Sequence, residues 1–286
     1  LRAAPRSIWL CADDYGISPA VNGAIRELIL RRRINATSVM VAAPHFNADE
    51  ARALGLLNAG EKRAALGLHV TLTAPFRPMS EGFAPLRDGC FPSLKEMVRL
   101  ALTRRLRFEP LAIEVATQVH GFRAAFGHLP DFIDGHQHVH LFPSVRDALL
   151  TVTAEAVPGA WVRQCASANV WRDLRDPKQL GLDILNVGFR RKATRHGIPT
   201  NPAFAGTYGF TGRADYAKLF PRFLAGLPAG GLIMCHPGFV DSALKRLDPM
   251  TTQRETEYRF FDSDAFPQLL AKRGFALARP NGAEAA

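Results

Sequence analysis

The sequence predicts an α/β protein: a single-domain distorted (β/α) barrel, TIM-barrel-like, with about seven mainly parallel strands. Three observations predict it. Short, continuously apolar runs alternate with segments of helical periodicity, which is the pattern of strands buried on both faces of a parallel sheet. The 286 residues show neither an internal repeat nor a linker that would divide them. Asp13-Asp14, His69, His136 and His236 each follow one of the apolar runs, as active-site residues do at the C-terminal rim of such a barrel. A doubly wound open sheet is the competing fold, but no G-x-G-x-x-G follows the first strand.

The elements follow in order. Ser7–Ala12 is a buried strand running into Asp13-Asp14-Tyr15-Gly16. Ser18 and Pro19 supply an N-cap and a first helical position, and Val21, Ile25, Leu28 and Ile29 mark one helical face. A second strand is expected over Asn35–Ala42, a helix over Ala48–Leu57, and a third strand over Ala64–Val70 with His69 at its end. From about 73 to 110 the rhythm breaks into an irregular excursion punctuated by Pro75, Pro78, Gly82, Pro85, Gly89 and Pro92, with one helix near Ser93–Leu102. Excursions of that length inside a compact domain usually serve as lids or binding loops.

Leu111, Val115, Val119, Phe122 and Phe126 space a helix that leads into Asp131–His140. There His136, His138 and His140 alternate, and alternation in an extended chain would put all three on one face. Gly135 would let the backbone turn just before them. A helix opens at Pro143-Ser144, and Trp161–Arg163 is the next strand. The arginine-rich stretch 173–205 has no clear period. Phe204–Phe210 reads as strand into loop, Asp215–Leu224 as helix, and Gly231–Cys235 as a strand ending in His236-Pro237-Gly238. One last helix over Thr252–Lys272 and a strand over Phe275–Ala278 follow, with Ala283–Ala286 expected to fray.

Composition excludes some functions. No apolar run reaches the length of a membrane span, no signal peptide precedes the first strand, and the four cysteines are scattered without C-x-x-C spacing. A reducing, cytoplasmic setting is therefore expected. The net charge of +10 comes mainly from arginines at 31–33, 104–107 and 190–195. No aromatic interleaving or nucleic-acid motif accompanies them, so nucleic acid is not an expected partner. An acidic substrate or weak association with an anionic membrane surface fits the charge better.

The chemistry lies in the constellation. One carboxylate and two imidazoles on a barrel rim hold a divalent ion and leave positions open for water and substrate. Adjacent residues of an extended segment point opposite ways, so one of Asp13 and Asp14 would ligate the ion and the other would take a proton from water. Alone, each of these segments reads as well as a turn or a satisfied core histidine; four on one rim do not.

Ala12–Gly16, Gly67-Leu-His69, Ile133–His140 and Met234–Gly238 together resemble the motifs of YdjC-like carbohydrate deacetylases, a family that includes chitooligosaccharide deacetylases and hopanoid-biosynthesis-associated members. The resemblance spans about residues 7–280. It implies removal of an acetyl group from an N-acetylated sugar, whether free, oligomeric or lipid-linked. By the family pattern Asp14, His69 and His136 would hold the metal, Asp13 would be the general base and His236 the general acid. Tyr15 stands where phenylalanine is common, and Gln137 where a histidine is frequent. Asp134 could accept the other ring proton of His136 or serve equally as a loop cap, His138 lies beside the ligands, and Arg163 could orient Asp13 or the acetyl group. Two imidazoles and a carboxylate suit zinc; magnesium or another divalent ion is the alternative. A metal-dependent phosphoesterase and a non-catalytic sugar-binding protein are the competing functions.

Overall fold

The computed structural model describes residues 4–168, 177–210 and 214–280. Its strands are β1 (Arg6–Tyr15), β2 (Ala36–Val39), β3 (Ala65–Val70), β4 (Phe132–Gly135), β5 (Trp161–Val162), β6 (Phe204–Ala205), β7 (Leu232–Cys235) and β8 (Phe275–Leu277). Every pairing is parallel, and the row runs β5-β4-β3-β2-β1-β7-β6. Its two ends approach each other through isolated parallel bridges, Val162 with Thr200 and Ser167 with Phe204. Read around the circle, seven strands stand in chain order, the topology of a distorted (β/α) barrel. The eighth, β8, pairs among the described residues with the start of β1 alone, at Arg6–Ile8.

The helices are α1 (Pro19–Leu30), α2 (Ala48–Gly55), α3 (Leu94–Leu102), α4 (Phe108–Phe126), α5 (Val145–Ala156), α6 (Pro177–Arg195), α7 (Tyr216–Leu224), α8 (Ser242–Leu247), α9 (Thr252–Asp262) and α10 (Ala265–Lys272). Helix α1 begins as its sequence requires: the Ser18 side chain accepts the Val21 N–H, Pro19 needs no donor, and Val21, Ala24, Ile25, Leu28 and Ile29 are buried. Helix α4 ends where Gly127 takes the left-handed conformation, at φ 76°.

The core fills the barrel and the gap to the helices. Phe132 stacks on Trp161 with centroids 4.4 Å apart and planes 12° apart, an arrangement worth about 1 kcal/mol beyond area burial. A Cβ at residue 67 would sit 2.4 Å from that Phe132 ring, so Gly67 two residues before His69 is required by close packing.

Several expectations change. The last helix is two, α9 and α10, because the chain turns extended at Ser263 (φ −69°, ψ 153°). The second strand is confined to Ala36–Val39, and α2 gives way to a 3-10 turn over Leu56–Asn58. Helix α4 starts at Phe108, three residues before its first apolar marker. The arginine-rich stretch contains the long helix α6, whose periodicity is masked by an exposed Ile184 and Val187 and a buried Asp183 and Asn186. The expected fraying of Ala283–Ala286 lies outside the described residues. The cluster at 31–33 is tied to acids: Arg31 to Asp262, Arg32 to Glu61 and Arg33 to Asp264. Among the described residues no helix is long and apolar enough to cross a membrane.

Candidate metal-dependent active site

The histidine segment folds differently from its alternation. His136–Leu141 is a 3-10 turn in which Gln137 and His138 have positive φ, 54° and 59°. The three imidazoles therefore part company. His136 Nδ1 approaches Asp14 Oδ1 at 3.0 Å. His138 lies 3.6 Å from the Cys165 sulfur with its ring edge on Phe204. His140 places Nε2 3.0 Å from the Arg163 carbonyl oxygen. Burial drops the His140 pKa to about 4, so the ring is neutral and donates to that carbonyl. Gly135 is extended rather than turned, at φ −153°; what crowds a side chain there is His140, 3.0 Å from a Cβ at that position.

Asp13 and Asp14 lie within the end of β1 rather than beyond it. Strict alternation would separate them, but Asp14 has φ 70° and the β1–β2 register slips between Ala12 and Tyr15. Both carboxylates consequently face one cavity of about 250 Å³, lined also by His69, His136, His138, His236, Leu94 and Phe210 among others.

Two buried arginines divide the aspartates. Arg163 sits 2.6 Å from each oxygen of Asp13 and 2.6 Å from Asp134 Oδ2. Arg254 places one nitrogen, Nη2, 2.6 Å from both Asp14 Oδ2 and Asp248 Oδ2. Burial works against ionising both aspartates, yet Arg163 holds Asp13 well below the usual carboxylate range, and Arg254 and His136 do the same for Asp14.

Asp134 does not serve His136, as the sequence led one to expect. It pairs in register with His69 across β3 and β4, and its Oδ1 takes the His69 Nδ1–H at 2.6 Å. That leaves His69 Nε2 facing Asp14 Oδ1 at 3.3 Å. Burial disfavours charge on His69, but Asp134 and Asp13 outweigh it and raise its pKa to about 10. Ser38, on β2, spans 3.2 Å to Asp13 Oδ1 and 3.0 Å to His69 Nδ1.

The residues fit a divalent ion. One donor atom from each of Asp14, His69 and His136 lies within 4.8 Å of the others, and carboxylate plus two imidazoles is a set zinc accepts. Cys11, Asp13 and Asp134 also converge, but the Arg163 guanidinium already stands among them. The charge balance agrees. Arg163, Arg254 and a protonated His69 offset three of the four carboxylates Asp13, Asp14, Asp134 and Asp248, and a dication that displaced the His69 proton would balance the set.

His236 lines the same cavity just after β7, the strand beside β1, with Phe210 edge-on at 5.5 Å. Burial lowers its pKa to about 4, so the resting imidazole is neutral. Its backbone N–H donates to Glu257 Oε2 at 2.5 Å. Ser38, Asp248, Arg254 and Glu257 were not foreseen. The signal for the last two was the buried stripe of α9, where Arg254 and Glu257 occupy core positions alongside Tyr258 and Phe261.

A parallel barrel with a two-histidine, one-carboxylate group at its rim defines the class: an α/β-barrel protein with a candidate metal-binding donor set at the strand ends. The family model for YdjC-like proteins matches residues 7–272, and the chain belongs to that family. It is 26% identical over 276 residues to a chitooligosaccharide deacetylase of Escherichia fergusonii, covering 95% of this chain and 97% of the relative. A crystal structure of a candidate cellobiose-phosphate cleavage protein from Enterococcus faecalis V583 superposes with TM-score 0.72 at 19% identity, covering 96% of this chain and 98% of that one. This second likeness concerns the fold alone.

Proposed function

We propose that this protein is a metal-dependent carbohydrate N-deacetylase that hydrolyses the acetamide of an N-acetylated sugar, free, oligomeric or lipid-linked. The observation that carries the reading is the meeting of Asp14, His69 and His136 beside Asp13 and His236 in one cavity. The near full-length likeness to a chitooligosaccharide deacetylase supports the substrate class.

Asp14, His69 and His136 would hold one divalent ion, zinc by their chemistry. Such an ion polarises an amide carbonyl and lowers the pKa of a water it holds. Asp13, locked by Arg163 through both oxygens, is oriented but weakly basic; it takes the proton of the attacking water without retaining it. His236, neutral at rest, is free to receive that proton and deliver it to the departing amine as the C–N bond breaks. Each positioned proton transfer is worth roughly 10²–10⁴ in rate. Arg163 and Asp134 act behind these groups, on Asp13 and on His69 respectively. His138 stands in the cavity wall, where it meets substrate.

The test combines metal analysis with acetate and phosphate release from N-acetylated and phosphorylated sugars. Acetate release that chelation abolishes and zinc restores supports the reading. Phosphate release without acetate points to the phosphoesterase, and sugar affinity without turnover after metal loading points to a binding protein.

A further inference from the structure

We propose that the first turns of α9 are a brace that sets the metal-binding wall against the proton-donating wall, with Arg254 and Glu257 as its positioning residues. The inference rests on the function proposed above and assigns work to a helix that carries none of its catalytic groups. The hydrogen bonds involved all reach residues 253–257. Arg254 is fully buried and reaches Asp14 Oδ2 and Asp248 Oδ2 through one nitrogen. Its own Nε donates to the Met250 carbonyl at 3.1 Å, and its carbonyl accepts the Gly238 N–H at 3.1 Å. Glu257, also fully buried, accepts the His236 N–H on one oxygen and the Tyr208 hydroxyl on the other, both at 2.5 Å. The Tyr208 ring meets Phe210 tilted by 41° with centroids 4.1 Å apart, Phe210 stands against the His236 ring, and the Gln253 side chain donates to the Phe210 carbonyl.

The two positions do separate jobs because they grip different things. Arg254 occupies only the second oxygen of Asp14, so Oδ1 stays aimed between His69 Nε2 and His136 Nδ1. A freely rotating carboxylate would present either oxygen, or both. Glu257 grips backbone, fixing where the chain leaves β7 and hence where the His236 ring hangs. Residues 254 and 257 lie one helical turn apart on a rigid element, so the distance between the two walls is inherited from the pitch of the helix.

The experiment compares Arg254→Met, Arg254→Lys, Glu257→Leu and Glu257→Gln in the full chain. Zinc affinity is read by competition with a chromophoric chelator, without substrate. The His236 ring resonances and acetate-release kcat follow. Arg254→Met should weaken zinc binding about 10–100-fold, the usual effect of losing a ligand's support, with Arg254→Lys between it and wild type. Glu257→Leu should leave zinc affinity within about threefold, shift the His236 resonances and lower kcat about tenfold or more. Glu257→Gln, which keeps an acceptor for the N–H and a polar partner for Tyr208, should restore most of both. Equal or tighter zinc binding in Arg254→Met overturns the proposal, as does a Glu257→Leu that loses zinc as Arg254→Met does. Should Arg254→Met fail to fold, wild-type zinc affinity in Arg254→Lys overturns it. Unchanged zinc binding beside normal wild-type acetate release sinks the brace alone; absent acetate release with the zinc pattern intact sinks the reaction alone.

Discussion

Asp13 and Asp14 are neighbours in sequence, equally buried, and each is answered by a buried arginine, yet they are held in opposite ways. Arg163 spends a nitrogen on each oxygen of Asp13. Arg254 gives Asp14 a single nitrogen that it also shares with Asp248. The fork-on-fork grip orients Asp13 completely and leaves it little basicity. The one-sided grip leaves Asp14 an oxygen for the imidazoles. Two identical side chains are thus given different chemistry by how many of their lone pairs the protein has already claimed.

The sharpest way to break that comparison is to neutralise each aspartate in turn. Asp13→Asn should retain metal while kcat falls roughly 10²–10⁴-fold, since only a proton acceptor is lost. Asp14→Asn should lose metal and activity together. Metal content and single-turnover acetate release, measured side by side, check both; a reversed pattern would exchange the two roles.

Removing the arginine instead of the aspartate tests the grip itself. Arg163→Met leaves Asp13 and Asp134 buried without their partner, which should cost about 3–5 kcal/mol of stability. For a chain of this size that lowers Tm by about 10 °C, readable by calorimetry. A change of under about 1 kcal/mol would mean that the buried pair is not a unit.

Glu257 sharpens the comparison because it is a buried carboxylate that accepts two hydrogen bonds and, among the described residues, has no direct arginine contact. Burial raises its pKa from 4.5 to about 7, against the bonds from Tyr208 and His236. Between those values the folded chain keeps a proton that the unfolded chain releases, so stability falls as pH rises from about 4.5 to 7. Above that window the penalty is constant at about 3 kcal/mol. Glu257→Gln lacks it, and urea unfolding with chelator present should show the variant gaining on wild type between pH 5 and 8. A gap that does not vary with pH defeats the assignment.

The smallest effect belongs to Ser38, which touches both halves. Ser38→Ala removes hydrogen bonds to Asp13 and His69, worth about 1 kcal/mol net, and should lower kcat less than tenfold without changing metal content. A larger loss would make Ser38 a member of the site rather than a support.

What the sequence made legible was whatever depends on strand ends. Continuous apolar runs marked β1, β3, β4 and β7, and the residues closing them meet at one rim. Illegible were the contacts fixed by backbone detail. The alternation of His136, His138 and His140 looked extended because nothing in the side chains announces the positive φ of Gln137 and His138. The same holds for Asp14, whose φ of 70° returns it to the cavity that Asp13 already faces. Asp134 was assigned to the histidine nearest in sequence, whereas its partner is the one in register on the next strand. Arg254 and Glu257 were invisible for another reason: they sit far down the chain in a helix that looks polar, and only its buried face shows that their charges point inward.

The bridges between β5 and the approach to β6 carry a consequence of their own. Along the rest of the circumference each strand is laced to its neighbour by a ladder, but here, among the described residues, the backbone ties are the Val162 amide to the Pro199 carbonyl and the Phe204 amide to the Ala166 carbonyl, each 2.9 Å, with the Asn201 side chain bridging to the Gln164 backbone. A ring with one thinly stitched joint breathes at that joint first. Deuterium should therefore enter at Val162 and Phe204 well before it reaches the amides shared by β1, β2 and β3, because the free energy of local opening there is a fraction of that for the whole fold. The barrel has, in effect, a zip as well as a wall, and it lies one strand away from the histidine turn.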